Sequence, residues 1–349
     1  MKIDSKMLKL AIHHRDSSFS ERWIITAQNL NIDYILVNCY SDDIITELKK
    51  NNVTHLMWHI NHSSITDLNT YPNVFNSAEL MGIKVFPNFN SNWHFDNKIS
   101  QKYLLESIGA PLVETHVFYE KKEALKYIEE QEFPIVSKLK RGAGATNVNL
   151  LRNMNSAKEH IDKMFGGGIS STGKVMDHLD QKIRVGKQIK NPLLLAKKII
   201  GFVQKTKNEN KFSDKEKGYV YFQKFMKGNT HDTRIIVIGE IAFAIIRLNR
   251  ENDFRASGSG KIDYDYKNVD VRFVKEAFRI SKRLKTDCLA YDFIYDSNNE
   301  VKLVEVCFGF NVKVYDSCQG YWTEDLIFKE GEFNPQEIML RNLINCENR

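Results

Sequence analysis

Residues 289–306 read LAYDFIYDSNNEVKLVEV, two apolar runs separated by the polar turn SNNE. Each run has the composition of a buried strand, and each contains one acid, Asp292 in the first and Glu305 in the second. In a hairpin these carboxylates would face each other across the ladder. Two like charges so close are unfavourable unless a cation or a proton lies between them, and carboxylate oxygens suit Mg²⁺. The alternative is a pair of edge-strand acids that contact water or lysine.

The composition is that of a soluble globular protein with two or three lobes. The chain has 349 residues, of which 42% are apolar and 27% charged. No apolar run is long enough to span a bilayer, and the start, MKIDSKMLKL, lacks the apolar core of a signal peptide. The five cysteines are scattered without a CxxC pair, so they are predicted to be reduced thiols of a cytoplasmic protein. The net charge of +6 suits anionic ligands such as nucleotides, and no nucleic-acid motif is recognisable.

The first 92 residues alternate short apolar runs with segments of helical spacing. Strands are predicted near 8–14, 34–39 and 53–60, with helices after each of them, the third helix near 73–82. This alternation is typical of a parallel sheet with helices on its faces. We therefore predict an N-terminal α/β lobe over residues 1–92. The lobe has no GxGxxG motif, so dinucleotide binding is not supported.

Two further units are predicted after this lobe. The second, residues 93–222, begins with an amphipathic helix closed by Gly109 and continues through a strand, a helix and a strand. Within it, residues 152–216 are rich in Lys, Asn, Asp and Gly and are predicted to be a polar insertion with some helix and two mobile loops. The third unit, residues 223–349, contains a predicted hairpin that turns at Gly239–Glu240, followed by the two acidic strands.

The stretch PIVSKLKRGAGAT, residues 134–146, places two lysines at the end of an apolar strand, before a loop of small residues. Lys138 and Lys140 have the same strand parity, so both are expected to face one side. Glycine lets backbone N–H groups approach a phosphate, and lysine supplies the countercharge. Phosphate binding and a surface turn beside solvated lysines explain this stretch equally well. It is not a Walker A loop.

The stretch RLNRENDFRASGSGK, residues 247–261, concentrates cations around a loop of serine and glycine. The cations are Arg247, Arg250, Arg255 and Lys261. Guanidinium groups bind carboxylates or phosphates in bidentate fashion, which favours an anion-binding role over a solvated surface loop.

The order of these segments resembles the ATP-grasp superfamily, most closely its branch of glutamate-ligase and glutathione-synthetase-like enzymes. The resemblance covers roughly residues 93–325, and its most specific phrases are HDTRIIVIGEIAFAIIR, DFRASGSGK and LAYDFIYDSNNEVKLVEV. It implies an α/β fold in which the N-terminal lobe is followed by two ATP-grasp subdomains with ATP between them. A fainter likeness is to ATP-grasp proteins of polysaccharide gene clusters.

The activity that the resemblance implies is ATP-dependent carboxylate–amine ligation. Such an enzyme converts a carboxylic acid to an acyl-phosphate and joins it to an amine, with release of ADP and phosphate. The expected partners are a small carboxylic acid and an amine; the acceptor is expected to be an amino acid, a peptide or a sugar acid. Neither nucleic acid nor a membrane span is expected, and a homo-oligomer is compatible with the sequence.

The resemblance also implies roles for individual residues. The implied ATP-binding residues form three groups: lysines that contact the phosphates, a glycine-rich loop that closes over them, and a hinge strand whose backbone meets the adenine edge. The lysines are Lys98 and Lys138, with the nearby Lys140; the loop is Gly142, Ala143, Gly144, Ala145 and Thr146; the hinge is Gln223, Lys224, Phe225 and Met226. The implied catalytic cations are Arg234, Arg247 and Arg255. The implied substrate-binding loop consists of Ser257, Gly258, Ser259 and Gly260. The implied Mg²⁺ ligands are Asp292 and Glu305.

The chain departs from the family pattern beside the second acid. The family has an asparagine two residues after its metal-binding glutamate, and Cys307 occupies that position here. A thiol is a poor ligand for a hard cation, so Cys307 is not expected to bind the metal, and Asn311 is a candidate replacement. The sequence is therefore compatible with one or two Mg²⁺ ions. Further on, Tyr321 and Trp322 either shape a substrate pocket or pack in the core.

Two other functions are compatible with the same residues. A small-molecule kinase on this fold would transfer the phosphoryl group to a hydroxyl. A non-catalytic protein would bind ATP without turnover, and the departure at Cys307 keeps that alternative open.

Overall fold

The computed structural model describes residues 8–142, 144, 147–170 and 215–345. The predictions for Ala143, Ala145 and Thr146, and for the larger part of the polar insertion, lie outside the described residues. The described strands are β1 (Leu10–His13), β2 (Tyr34–Val37), β3 (His55–Trp58), β4 (Lys84–Phe86), β5 (Thr115–Phe118), β6 (Ile135–Lys138), β7 (Val148–Leu151), β8 (Ile169–Ser170), β9 (Lys215–Glu216), β10 (Val220–Lys224), β11 (His231–Ile238), β12 (Ile241–Leu248), β13 (Ile262–Asp263), β14 (Cys288–Tyr295), β15 (Val301–Cys307), β16 (Gly320–Thr323) and β17 (Phe328–Glu330). The described α-helices are α1 (Phe19–Asn29), α2 (Ile44–Lys50), α3 (Ile65–Leu80), α4 (Phe89–Asn92), α5 (Lys98–Ser107), α6 (Lys121–Glu129), α7 (Met154–Phe165), α8 (Val271–Leu284) and α9 (Pro335–Asn345).

The N-terminal lobe is a parallel sheet in the order β2-β1-β3-β4, in agreement with the predicted alternation of strands and helices. Every residue of β1 and β3 is buried, which is typical of parallel strands covered on both faces. Helix α3 begins at Ile65, earlier than predicted, and continues through Pro72. Its start is set by Ser64, whose side chain accepts a hydrogen bond from the backbone N–H of Asp67.

The second lobe is an antiparallel sheet in the order β5-β10-β6-β7, with α6 and α7 packed on it. Helix α7 lies inside the segment predicted as a polar insertion, yet Ala157, Ile161 and Met164 on its apolar face are buried in the lobe's core. The expected start of the insertion at residue 152 is therefore corrected: lysine and asparagine on the exposed face conceal an amphipathic helix. The expected boundary at residue 222 falls inside β10, which belongs to this sheet as a whole.

The third lobe is an antiparallel sheet in the order β15-β14-β11-β12-β16-β17, with β13 also paired to β12. Strands β11 and β12 form the predicted hairpin with a turn at Gly239–Glu240, since Ile238 and Ile241 are register partners. The aromatic stretch on β16 is explained by packing. Trp322 is buried and contacts Phe328 edge-to-face, with ring centroids 4.7 Å apart.

The first and third lobes share two apolar clusters. The first runs from Leu56 and Phe75 of the N-terminal lobe to Tyr291 and Phe293 on β14. These shared clusters bring the carboxyl ends of β1 and β3 close to the acidic hairpin. No helix among the described residues has the length and hydropathy needed to cross a membrane.

Candidate active site

A cleft with about 940 Å³ of empty space lies between the second-lobe sheet and the third-lobe sheet. Its lining combines an apolar set with a charged set. The apolar residues are Val113, Val136, Val148, Phe225, Met226, Phe254, Ala256, Ile294 and Val304. The charged residues are Lys98, Lys138, Lys224, Asp232, Arg247, Arg255, Asp292 and Glu305, and His231 lies among them. A cleft with this lining can bind a planar apolar ring that carries a polyanionic group.

The connection between the two sheets forms one wall of this cleft. The Gln223 side chain donates to Thr115 Oγ1 at 3.0 Å and reaches the Val304 carbonyl oxygen at 3.5 Å, so it joins β10 to β5 of the same sheet and to β15 of the third lobe. Beyond the strand, Phe225 packs edge-to-face on Phe254, with ring centroids 5.5 Å apart. The structure thus places the predicted hinge residues in the cleft but engages the amide of Gln223 in the protein itself.

Two of the three predicted lysines meet in the cleft. Lys138 ends β6 and is buried. Lys98 opens α5, and its Nζ donates to the Gly142 carbonyl oxygen at 2.7 Å and lies 4.0 Å from Glu305 Oε2. Burial lowers the pKa of Lys138 to about 8, the nearby Glu305 charge opposes this shift, and Lys98 adds to it.

Lys140 does not line the cleft, contrary to the prediction from strand parity. Strand β6 ends at Lys138, so the alternation of side chains does not continue to residue 140. Lys140 instead lines a different cavity beside Arg141 and Glu216, where its backbone N–H donates to Glu216 Oε2 at 2.9 Å.

The two acids are direct register partners on β14 and β15, with a bulge immediately after Asp292. Their surroundings differ. Asp292 is buried and accepts from Arg234 Nε at 2.6 Å and Nη2 at 2.7 Å. Arg247 Nη2 lies 2.8 Å from Asp292 Oδ2, and Arg247 also donates to Asp232 in bidentate fashion through Nε and Nη2. Burial opposes ionisation of Asp292, but the two guanidinium groups outweigh it and hold the pKa of this carboxyl well below its usual range.

Arg234 and Arg247, predicted as catalytic cations, are therefore parts of a buried four-residue charge network with Asp232 and Asp292. Sequence analysis did not single out Asp232 as a site residue. The D-x-R spacing places it on the same face of β11 as Arg234, which is the signal that identifies it. Arg247 still presents one group to the cleft, because no described residue accepts a hydrogen bond from its Nη1.

The carboxylates fit Mg²⁺ if a ligand supplies further oxygens. Glu305 is a hard donor at the cleft, and Asp292 Oδ1, with one contact to Arg234, retains acceptor capacity, whereas Oδ2 is engaged by both Arg234 and Arg247. Within the described part of the chain, no three His, Cys, Asp or Glu side chains form a metal cluster. A divalent ion at these carboxylates would therefore need further oxygens from a bound ligand.

The two other candidate ligands fit less well. Burial raises the pKa of the Cys307 thiol to about 11, and its Sγ donates to the Gly309 carbonyl oxygen at 3.4 Å. A neutral thiol does not coordinate Mg²⁺. The Asn311 side chain accepts from the Lys313 backbone N–H at 3.0 Å and caps a short 3₁₀ helix, Val312–Tyr315.

The arginine-rich loop is placed partly at the cleft. Arg255 lines it and binds Asp253 through Nε at 2.9 Å and Nη2 at 2.7 Å. Arg250 bridges two loops, because it donates through Nε to the Ser257 carbonyl oxygen at 2.9 Å and through Nη2 to that of Gly144 at 3.1 Å. Of the predicted substrate loop, Ser257 lines the cleft. Gly258, Ser259 and Gly260 do not line it, and they do not line the cavity between the N-terminal and third lobes that is described next.

A second cavity, with about 1390 Å³ of empty space, lies between the N-terminal lobe and the third-lobe sheet. It shares Lys98, Gly142, Ser257 and Glu305 with the inter-sheet cleft. Its N-terminal residues, absent from the sequence prediction, include Arg15, His59, Asn61 and His62. Arg15 and His59 lie just beyond the carboxyl ends of β1 and β3. Because ligands commonly bind at the carboxyl ends of parallel strands, this position in the sequence could have identified both residues as candidates.

Comparison with known proteins identifies the fold. No family model matches the sequence, and no curated protein matches it significantly. Solved structures are similar over nearly the whole chain. A RimK-domain ATP-grasp protein from Sphaerobacter thermophilus is 11% identical, with a TM-score of 0.54 over 96% of this chain and 99% of that one.

Two further solved structures extend the likeness. The N5-carboxyaminoimidazole synthase from Aspergillus clavatus, in complex with ADP and 5-aminoimidazole ribonucleotide, is 10% identical, with a TM-score of 0.58 over 98% of this chain and 78% of that one. The biotin carboxylase domain of the Hydrogenobacter thermophilus 2-oxoglutarate carboxylase is 12% identical, with a TM-score of 0.59 over 98% and 70%. The chain therefore has the ATP-grasp fold, as the resemblance predicted; the specific branch stays a prediction.

Proposed function

We propose that this chain, which has the ATP-grasp fold, is an ATP-dependent ligase that joins a small carboxylic acid to an amine. The observation that carries the proposal is the junction of the two cavities at Lys98, Gly142, Ser257 and Glu305. A nucleotide in the inter-sheet cleft would present its phosphates to a second substrate at that junction. Holding two reactants in contact in this way is the main requirement of phosphoryl transfer. The ATP, ADP and MgADP complexes of the similar structures support nucleotide binding.

The reaction follows from two displacements. A carboxylate oxygen of the acid attacks the γ-phosphorus of ATP, the bond to the β–γ bridging oxygen breaks, and ADP leaves. The amine nitrogen then attacks the carbonyl carbon of the acyl-phosphate, the bond from that carbon to the phosphate oxygen breaks, and the nitrogen releases a proton. No nucleophilic side chain is required in either step.

The charged residues of the inter-sheet cleft would offset the negative charge that develops on the phosphates. Lys98 and Lys138 would bind the phosphates, and Arg247 Nη1 and Arg255 would face the transferred group. Mg²⁺, held by Glu305 and Asp292 with phosphate oxygens, would neutralise charge on the phosphates. The Arg250 bridge would hold the Ser257 and Gly144 loops together over the junction, which would limit hydrolysis of the acyl-phosphate.

The proposal is tested by ADP release across a matrix of acids and amines, with the products identified by mass spectrometry. A ligase releases ADP and phosphate in equal amounts to amide, and only when both substrates are present. Phosphorylated alcohol as the product would show a kinase instead. Nucleotide binding without turnover across the matrix would contradict catalysis.

The pH dependence of ATP binding gives a separate prediction. Since the pKa of Lys138 is lowered to about 8, this side chain loses its charge as the pH rises through that value. Bound phosphate favours the charged form, so ATP binding should take up protons at alkaline pH. The affinity for ATP without added divalent metal should fall about tenfold from about pH 7 to about pH 9.

Calorimetry in buffers of different ionisation enthalpy measures both the affinity and the proton uptake. Lys138→Arg is the matched control, because a guanidinium remains charged throughout this range and should abolish the pH dependence. If the ATP affinity of the native protein is also unchanged between these pH values, as in the Lys138→Arg control, the proposed contact between Lys138 and phosphate is contradicted.

A further inference from the structure

The second cavity contains an arginine with no acidic partner among the described residues. Arg15 lines this cavity from the N-terminal lobe. Its Nε is buried without a hydrogen-bond partner, and its Nη2 reaches the His59 carbonyl oxygen at 3.5 Å. Leaving buried donors of a guanidinium unsatisfied costs free energy, and a bound anion would recover that cost.

His59 supplies a neutral donor beside this arginine. Its Nδ1 accepts from the Phe19 backbone N–H at 3.1 Å, which assigns the ring proton to Nε2. Burial lowers the pKa of His59 to about 3, with the Arg15 charge as a further cause, so the ring is neutral at physiological pH. A β-carbon at Gly309 would lie 3.9 Å from Nε2, so the glycine leaves space next to this donor.

The loop that follows His59 is held in place by a buried carboxylate. Asp67 accepts from the Asn61 backbone N–H at 2.7 Å and from the Tyr40 hydroxyl at 2.6 Å. Both of its oxygens are therefore engaged in positioning this wall of the cavity. A wall that is ordered in advance loses less conformational entropy when a ligand binds.

We propose that the second cavity binds the acid substrate, and that Arg15 and His59 bind a further anionic group on it. The preferred substrate is then a small acid with two anionic groups, a dicarboxylic acid or a phosphorylated acid. One group reacts at the junction beside Lys98, and the other lies at Arg15. This inference rests on the proposed ligase function for the reacting carboxylate, but the anion site at Arg15 can be tested independently of turnover.

Equilibrium binding provides that test. Short straight-chain dicarboxylic acids, their monoamides and phosphorylated hydroxy acids of matched length are titrated into the full chain by calorimetry, without nucleotide. At least one doubly anionic probe should bind more tightly than its singly charged analogue. Arg15→Ala should weaken that binding by at least about 30-fold, since it removes a partner of a partly buried charge pair. Arg152→Ala, at an exposed arginine outside both cavities, is the matched control.

Turnover separates the two proposals. With the preferred acid, Arg15→Ala should raise KM for the acid by a similar factor, with kcat and KM for ATP unchanged. Tight diacid binding that depends on Arg15, without amide formation, would support the anion site and contradict the ligase. Equal binding of diacids and monoamides, or binding unaffected by Arg15→Ala, would overturn the anion site even if the ligase reaction is observed.

Discussion

Glu305→Gln is expected to lower ATP-dependent turnover by roughly 10²–10³-fold and to change the free energy of unfolding by less than about 0.5 kcal/mol. Glu305 lies at the junction of the two cavities, and its side chain is 29% exposed. Its partner Lys98 is 4.0 Å away and also binds the Gly142 carbonyl oxygen at 2.7 Å. The substitution preserves the shape of the side chain but removes the charge that would bind Mg²⁺, so activity should fall much more than stability.

Steady-state ADP release and urea unfolding measure the two quantities. Glu300→Gln is the matched control, because Glu300 is an exposed acid in the turn of the same hairpin. The control should keep full activity. Normal turnover of Glu305→Gln with added Mg²⁺ would exclude Glu305 as a required metal ligand.

Asp292→Ala, unlike Glu305→Gln, should destabilise the fold, with a loss of about 3–5 kcal/mol in the free energy of unfolding. Asp292 is buried between Arg234 and Arg247, and all three side chains are largely inaccessible to water. Removing the carboxylate leaves the network with one uncompensated positive charge in a region of low dielectric constant. Lost activity in this variant therefore does not identify a metal ligand, since the fold itself is affected.

A charge-balanced double variant tests whether the lost stability comes from the uncompensated charge. Arg234→Met combined with Asp292→Leu removes a cation and an anion together, so it should recover most of the stability that Asp292→Ala loses. Asp325→Ala, at an exposed acid, is the control for loss of a surface charge. If Asp292→Ala unfolds at the same urea concentration as the native chain, the network does not stabilise the fold.

Local pattern accounts for the parts of the fold that were predicted. The strands and helices of the N-terminal lobe, the turn at Gly239–Glu240 and the partnership of Asp292 with Glu305 depend on residues close together in sequence. Strand alternation and turn chemistry determine such features. The two local failures have local causes. Lys140 lies beyond the end of a short strand, and polar residues on α7 concealed its apolar face.

The sequence by itself determined which residue types were available for an anion site, their order along the chain and the ATP-grasp resemblance. Tertiary structure decided which of them meet and in which ionisation state. Asp292 acquires two arginines from neighbouring strands, and Arg15 is brought into the cavity that contains Glu305 across nearly the whole chain length. The reason is that burial and charge pairing, which shift pKa values and decide whether a carboxylate is structural or available to a ligand, depend on contacts between residues distant in sequence.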